Sequence, residues 1–379
     1  METFSSKVHL EARLPLGGND PDRYSVSDCD ELEVNGLAFI DQNNNRYQLC
    51  SVDTLYPGRL VEEFAPADAT YIFAASHTHY APMLDDAKPK IGSFSEKALN
   101  SYSQSISQSL RLQIKPDRCR MYVAEVDVPI YRRFDYPASW VNSLLTKHAG
   151  LYPNQDLAID KNIYIFEFSE NEKSLFAIVY HACHPVSRGA SDEISSDYIG
   201  ALRKSIRDRF RIETVIFLLG CAGDVRPNIT KKRIPWLPKS RLNWRFNSNL
   251  GQKQRDEIDA KYVQAVQDAQ LHDSFSLTSH SMKVHEHQLV LKGGRNLSVP
   301  EIEVGDKLRF TFLPFEISHL FSLELRKGDK NHFLVSCSGN TLGYLPHPTQ
   351  HASGGYEVDG ALPYMGLEER LEISQASLF

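Results

Sequence analysis

Two histidines two positions apart, in Ser76-His77-Thr78-His79, close the apolar run Tyr71-Ile72-Phe73-Ala74-Ala75 and open a polar loop containing Pro82. Alternate residues of a strand share a face, so both imidazoles can line one cavity. A short buried strand that delivers imidazoles at its C-terminal end places them where α/β folds carry chemistry, and a neutral imidazole is a zinc ligand. The device recurs. Leu175 to Tyr180 runs into His181-Ala182-Cys183-His184-Pro185, Thr214 to Leu219 into Gly220-Cys221-Ala222-Gly223-Asp224, and Lys307 to Leu313 into Pro314-Phe315-Glu316. Strand ends at His77, His184, Asp224 and Glu316 thus offer nitrogen and oxygen donors, a set sufficient for tetrahedral zinc with one position left for water or substrate. On spacing alone His79, His181, His319 and Asp197 are equally eligible.

The elements that must position these groups follow from periodicity. Leu37 to Ile40 and Tyr47 to Asp53 flank the turn-rich Asp41-Gln42-Asn43-Asn44-Asn45 and predict a hairpin, and Gly58 to Phe64 followed by Tyr71 to Ser76 predicts a β-α-β unit with a parallel strand pair. Ser95 to Leu112 is amphipathic, with Ser93 and Glu96 at capping-box spacing. Asp197 caps a second helix whose apolar face is Ile199, Leu202, Ile206 and Phe210. Gln252 to Leu271 reads as a helix, Ser274 to Leu291 as one strand, and Ile317 to Leu325 as a helix. The expected fold is α/β: a mixed, largely parallel central sheet flanked by helices, with additional hairpins and a zinc site at strand C-terminal ends. Residues 1–379 are expected to form a single catalytic domain. The basic stretch at about 231–250, with Trp236 and Trp244, is expected to be a lid or surface insertion.

Composition narrows the function classes. A net charge of −6 argues against nucleic acid or an anionic membrane surface as the main partner. The opening residues lack a basic then apolar leader, and no segment has the apolar length of a membrane span, so the expected location is cytoplasmic, without stable membrane association. The six cysteines show no C-x-x-C spacing and most read as buried thiols, with Cys183 and Cys221 beside candidate site residues. Arg132-Arg133, after the strand Arg118 to Pro129, is a pair able to clamp a carboxylate or phosphate.

Taken together, Ser76-His77-Thr78-His79, His184-Pro185-Val186-Ser187 with Ile194-Ser195-Ser196-Asp197, Gly223-Asp224-Val225-Arg226-Pro227-Asn228, Phe315-Glu316, and Tyr344 with Tyr356-Glu357 resemble, in order, the neutral/alkaline non-lysosomal ceramidase family. Ser51-Val52-Asp53 and Arg132-Arg133 are weaker likenesses. The resemblance implies one zinc ion per chain held by His77, His184, Glu316 and Tyr344, with His79 beside it as a polarising or proton-transfer group. It also exposes a departure: where the family's loop carries its proposed nucleophile serine, this chain has Arg226, a side chain that cannot attack a carbonyl. The expected reaction is therefore hydrolysis of a linear amide by metal-activated water. His79 or Asp224 would relay the proton, and Tyr344 or Arg226 would stabilise the oxyanion. With Arg226, Arg132 and Arg133 as substrate-binding groups, the expected substrate is small, polar and anionic, such as an N-acyl sugar. A ceramidase-like lipid amidase or esterase, and a non-catalytic metal-containing binding protein, are the competing readings. A homo-oligomer is compatible with all of them.

Overall fold

The computed structural model describes residues 1–379 except 12, 19, 66–67, 136–148, 235–242, 279–280 and 377–379. Three five-stranded sheets build the frame. The first runs Thr70–Ala75, Arg46–Val52, Glu33–Ile40, Glu2–Lys7, Leu112–Gln113; the second Thr214–Leu219, Lys173–His181, Asn162–Glu170, Arg118–Glu125, Gln270–Ser276; the third His332–Val335, Leu308–Phe312, Asn296–Val304, Met282–Leu291, Ile373–Ala376. The largely parallel sheet expected from the apolar runs is corrected here. Each sheet is antiparallel except for one parallel pair at an edge: Arg46–Val52 with Thr70–Ala75, Lys173–His181 with Thr214–Leu219, and Leu308–Phe312 with His332–Val335.

Local chemistry accounts for the antiparallel excess. Asn162–Glu170 and Lys173–His181 are joined through Asn171 and Glu172, both left-handed (φ 49° and 65°), the turn that matches the twist of paired strands. Asp41 accepts from the amides of Asn43 and Asn45 at 2.8 Å each and fixes the turn between Glu33–Ile40 and Arg46–Val52. The β-α-β unit also forms, with the short helix Arg59–Glu63 between its parallel strands.

The strands Thr214–Leu219, Lys173–His181 and Asn162–Glu170 of the second sheet are buried on both faces over most of their length, which explains their near-continuous apolar text. Ile163, Ile165, Val179, Val215 and Phe217 pack beneath Ile199, Leu202 and Ile206 of the helix Tyr198–Phe210 and Tyr262 and Val266 of the helix Gln252–Asp268. The alternate residues Phe166, Ile178, Ile216 and Leu218 meet Leu49 and Ile72 of the first sheet and Phe310 and Phe333 of the third. The helix Glu96–Ser107 is capped by Ser95, which accepts from the amide of Ala98, rather than by Ser93. The single strand expected over 274–291 is two strands in different sheets, Gln270–Ser276 and Met282–Leu291.

The parallel edges of the three sheets meet. Ala75 donates its amide to the carbonyl of Cys337 at 3.0 Å, Ser336 donates to Leu219 at 2.8 Å, and the Ser51 hydroxyl reaches the Phe217 carbonyl at 2.6 Å. The chain segments leaving those edges therefore converge, and the histidines stand on two of them. No described helix is long and apolar enough to cross a membrane.

Candidate metal centre

His77 follows the strand Thr70–Ala75 in the left-handed region, at φ 64°, with its amide donating to the Thr54 carbonyl at 2.9 Å. A non-glycine residue held there costs ~1–3 kcal/mol, so the surrounding structure imposes the turn that brings the ring inward. Its Nδ1 donates to the Leu55 carbonyl at 2.9 Å, and Nδ1 of His184 donates to the Ala222 carbonyl at 2.7 Å. Each ring thus commits Nδ1 to a carbonyl and turns Nε2 toward Glu316.

The two Nε2 atoms lie 3.1 Å apart, and Oε2 of Glu316 lies 3.3 Å from each. All three residues are buried, and Glu316 Oε2 has no hydrogen-bond partner. Its Oε1 accepts from the hydroxyl of Tyr56. Three lone pairs turned on one another in a low-dielectric interior repel unless a positive charge lies among them. Ligand bonds of about 2.0–2.1 Å to tetrahedral zinc set ligand atoms about 3.3 Å apart, so the triangle fits that ion. The electrostatics agree. Burial alone would raise the Glu316 carboxyl, yet His77 and His184 hold it well below the usual carboxylate range. Against the effect of burial, Cys337 and Glu316 raise His77 well above the ordinary imidazole value, whereas burial, joined by Arg132, drives His184 down to about 4; one positive charge beside Glu316 is favoured and a second is opposed.

His79 completes a group of three imidazoles whose ligand atoms lie within 4.8 Å of one another. Its ring centre is 5.2 Å from that of His77 and 5.6 Å from that of His184, and neither ring nitrogen has a hydrogen-bond partner. Burial, then the like charges of His77 and His184, push it well below the ordinary imidazole value, leaving a neutral ring. The backbone of Gly18, at φ 106°, presses against it; a Cβ there would lie 2.4 Å from His79 Nδ1.

A short parallel pair sets Glu316 in register with Tyr344, through Phe315–Ile317 and Gly343–Leu345. The Tyr344 hydroxyl accepts from Arg132 at 3.1 Å, and the same guanidinium donates to Glu357 at 2.7 Å. Arg133 is turned elsewhere. It is buried on Glu357 (2.9 Å) and the Gly354 carbonyl (2.8 Å), away from the cavity lining, so its expected contact with substrate gives way to a structural one.

Asp224 also departs from expectation. Fully buried, it accepts from the Ser318 hydroxyl, from the amide and Nδ1 of His319 at 2.8 and 2.9 Å, and from Gln350 at 2.8 Å. Burial would raise it, but His319 and these donors hold it far below the usual carboxylate range. It anchors the start of the helix His319–Gly328, and both its oxygens are taken up by protein donors, a structural use where sequence suggested a proton relay.

A cavity of about 390 Å³ opens beside the triangle, lined by Arg23, His79, Arg132, His184, Arg226 and Tyr344 among others. Arg23 is paired with Asp192 at 3.0 Å. Arg226 lies over the ring of Phe246, 4.3 Å from guanidinium carbon to centroid, and its buried Nε has no hydrogen-bond partner. Cys183 and Cys221 are buried thiols that burial pushes up, so both pack as neutral groups. The lid expected at 231–250 is, where described, a hairpin of Thr230–Lys232 with Trp244–Phe246; residues 235–242, including Trp236, lie outside the described residues. Tyr56, Gly18, Arg23 and Phe246 escape sequence reasoning. Tyr56 follows the Asp53 strand end closely and is the one whose placement carried a signal.

No protein-family model matches the sequence, and no curated protein matches it. The architecture is a ceramidase-like fold. A solved structure that shows it is the neutral ceramidase from Pseudomonas aeruginosa, similar with a TM-score of 0.66 at 14% sequence identity over 94% of this chain and 70% of that one.

Proposed function

We propose that this protein is a zinc-dependent amidohydrolase that deacylates a small, polar, anionic N-acylated compound, such as an N-acyl sugar, sugar acid or amino acid. One observation carries the reading: the ligand atoms of His77, His184 and Glu316 lie 3.1 to 3.3 Å apart, and His184 lines the neighbouring cavity. With Tyr344 these residues would hold the ion. Bound there, zinc polarises a carbonyl and lowers the pKa of water toward neutrality.

The remaining work falls to the chain. Neutral His79, with both nitrogens free of protein partners, takes a proton and returns it to the leaving amine. Arg132 holds the Tyr344 oxygen at 3.1 Å and adds positive charge where an oxyanion develops. Tyr56 and the Leu55 and Ala222 carbonyls keep Glu316 and the two imidazoles oriented, which limits reorganisation during reaction. Three arginines in a cavity of about 390 Å³ favour a compact polar substrate over a long acyl chain, although the fold likeness keeps lipid amides as the second reading.

The test is turnover of N-acetylated sugars, sugar acids, amino acids and ceramides with added zinc, alongside His77→Ala. Amide cleavage of the polar compounds that disappears in the variant is expected. Cleavage of ceramide alone would overturn the substrate assignment, and activity that survives His77→Ala would overturn the metal chemistry.

A further inference from the structure

We infer that the hairpin of Thr230–Lys232 and Trp244–Phe246 is the anion-reading element of the cavity: its Phe246 holds the Arg226 guanidinium for a carboxylate carried by the substrate. The inference deepens the hydrolase reading and rests on it for the rest of the substrate. The anion site itself stands on separate observations.

Charge balance singles out Arg226. Of the cavity arginines, Arg23 is compensated by Asp192 and Arg132 by Glu357, whereas no described carboxylate pairs with Arg226. Burial and the neighbouring Arg132 both disfavour its charge, bringing it down to about 10. A desolvated cation beside a like charge is costly until an anion arrives, and a planar carboxylate fits a guanidinium through two parallel hydrogen bonds.

The hairpin determines where that guanidinium points. Arg226 leaves the strand Val225–Pro227, which pairs with Pro129–Asp135, and the chain then turns back so that Phe246 covers it. The hairpin root is latched to the rim of the cavity. Asn247 donates its amide to the Ile229 carbonyl at 2.8 Å, and Ala190 donates to the Ser248 carbonyl at 2.7 Å. At Gly189, φ 71°, a Cβ would lie 2.3 Å from that Ser248 oxygen, so only glycine allows the approach.

The charge of the segment agrees with that role. No Asp or Glu occurs between Val225 and Arg255 in a chain whose net charge is −6. Lys231, Lys232, Arg233 and Arg245 stand on the described hairpin without a carboxylate partner among the described residues. Such a field attracts anions to this face and weakens with salt.

The experiment measures binding to the full chain after zinc removal, by calorimetry, with N-acetyl-L-alanine and its neutral counterpart N-acetyl-L-alaninamide as probes. The acid is expected to bind at least about tenfold more tightly than the amide, and the preference to fall as salt is raised. Arg226→Gln erases the preference and Arg226→Lys recovers part of it; Phe246→Ala weakens acid binding severalfold while Phe246→Trp restores it. Thermal melts confirm which variants are folded. Equal binding of acid and amide, or a preference that survives Arg226→Gln, overturns the inference, as does tighter binding of inorganic phosphate than of the acid. Those outcomes leave the hydrolase reading standing where neutral N-acyl compounds are still cleaved in a His77-dependent way. Loss of all turnover with the acid preference intact would sink that reading instead.

Discussion

Nε2 of His77 stands 3.1 Å from Nε2 of His184, with each ring's Nδ1 proton committed to a backbone carbonyl. With Glu316 Oε2 at 3.3 Å from both, three atoms of metal-ligating type converge on one point. Folding gathers these groups from positions far apart in the chain, and the left-handed turn at His77 adds backbone strain to the cost of burying them. A cation bound at that point would offset both.

Tyr56 is expected to set the affinity of that point for metal. Its hydroxyl donates to Glu316 Oε1 and so leaves Oε2 bare. In Tyr56→Phe the ring packing is kept and the hydrogen bond is lost, and zinc affinity should fall about 10–100-fold. Competition titration against a fluorescent chelator measures this; an unchanged Kd would show that Tyr56 only packs.

Gly18 should be intolerant of any side chain. Its φ of 106° and a Cβ placed 2.4 Å from His79 Nδ1 mean that Gly18→Ala displaces the imidazole. Turnover should fall by about 100-fold or more, since an ångström-scale misplacement costs that much. The urea midpoint should report a loss of only ~1–2 kcal/mol from the backbone conformation. A variant of full activity would contradict the placement of His79 in the chemistry.

Asp224 is expected to behave as a structural anion. Four donors converge on it, so Asp224→Asn turns an amide group against them and leaves buried partners unsatisfied. Stability should drop by about 3–5 kcal/mol. If the urea midpoint is unchanged and only kcat falls, the proton-relay role read from sequence would return.

Acid stability should depend on Glu33. Burial alone would raise its carboxyl, but Arg203 and then Arg207 lower it from 4.5 to about 2. A depressed folded value means the stabilisation is fully present above pH 4.5 and is lost as pH falls from there through about 2. Its size is about 3 kcal/mol. Urea midpoints at pH 6 and pH 3 should therefore differ more in the native chain than in Glu33→Gln, and parallel curves would refute the assignment.

Much of this site was legible because its delivery strands are short, apolar and end abruptly. Tyr71 to Ala75, Leu175 to Tyr180 and Thr214 to Leu219 announce their ends, and His77 and His184 stand just beyond two of them. What an apolar run does not carry is the direction of its neighbour. Lys173–His181 lies between an antiparallel and a parallel partner, and burial on both faces reads the same either way. Asp224 sits at a strand end as the histidines do, but its role is decided by Ser318, His319 and Gln350, which only the folded chain brings near. The same holds for Arg133 and Glu357, and for Arg226 and Phe246. Pairings between distant segments leave no local periodicity to read.

The most direct measurement of the central claim is anomalous scattering at the zinc edge from crystals of the full chain grown with zinc, paired with elemental analysis of the same protein. One zinc per chain is expected, with its peak bounded by Nε2 of His77, Nε2 of His184 and Oε2 of Glu316, and no peak there in His184→Ala. A metal-free triangle in zinc-loaded protein, or a zinc content unchanged in His184→Ala, would contradict it.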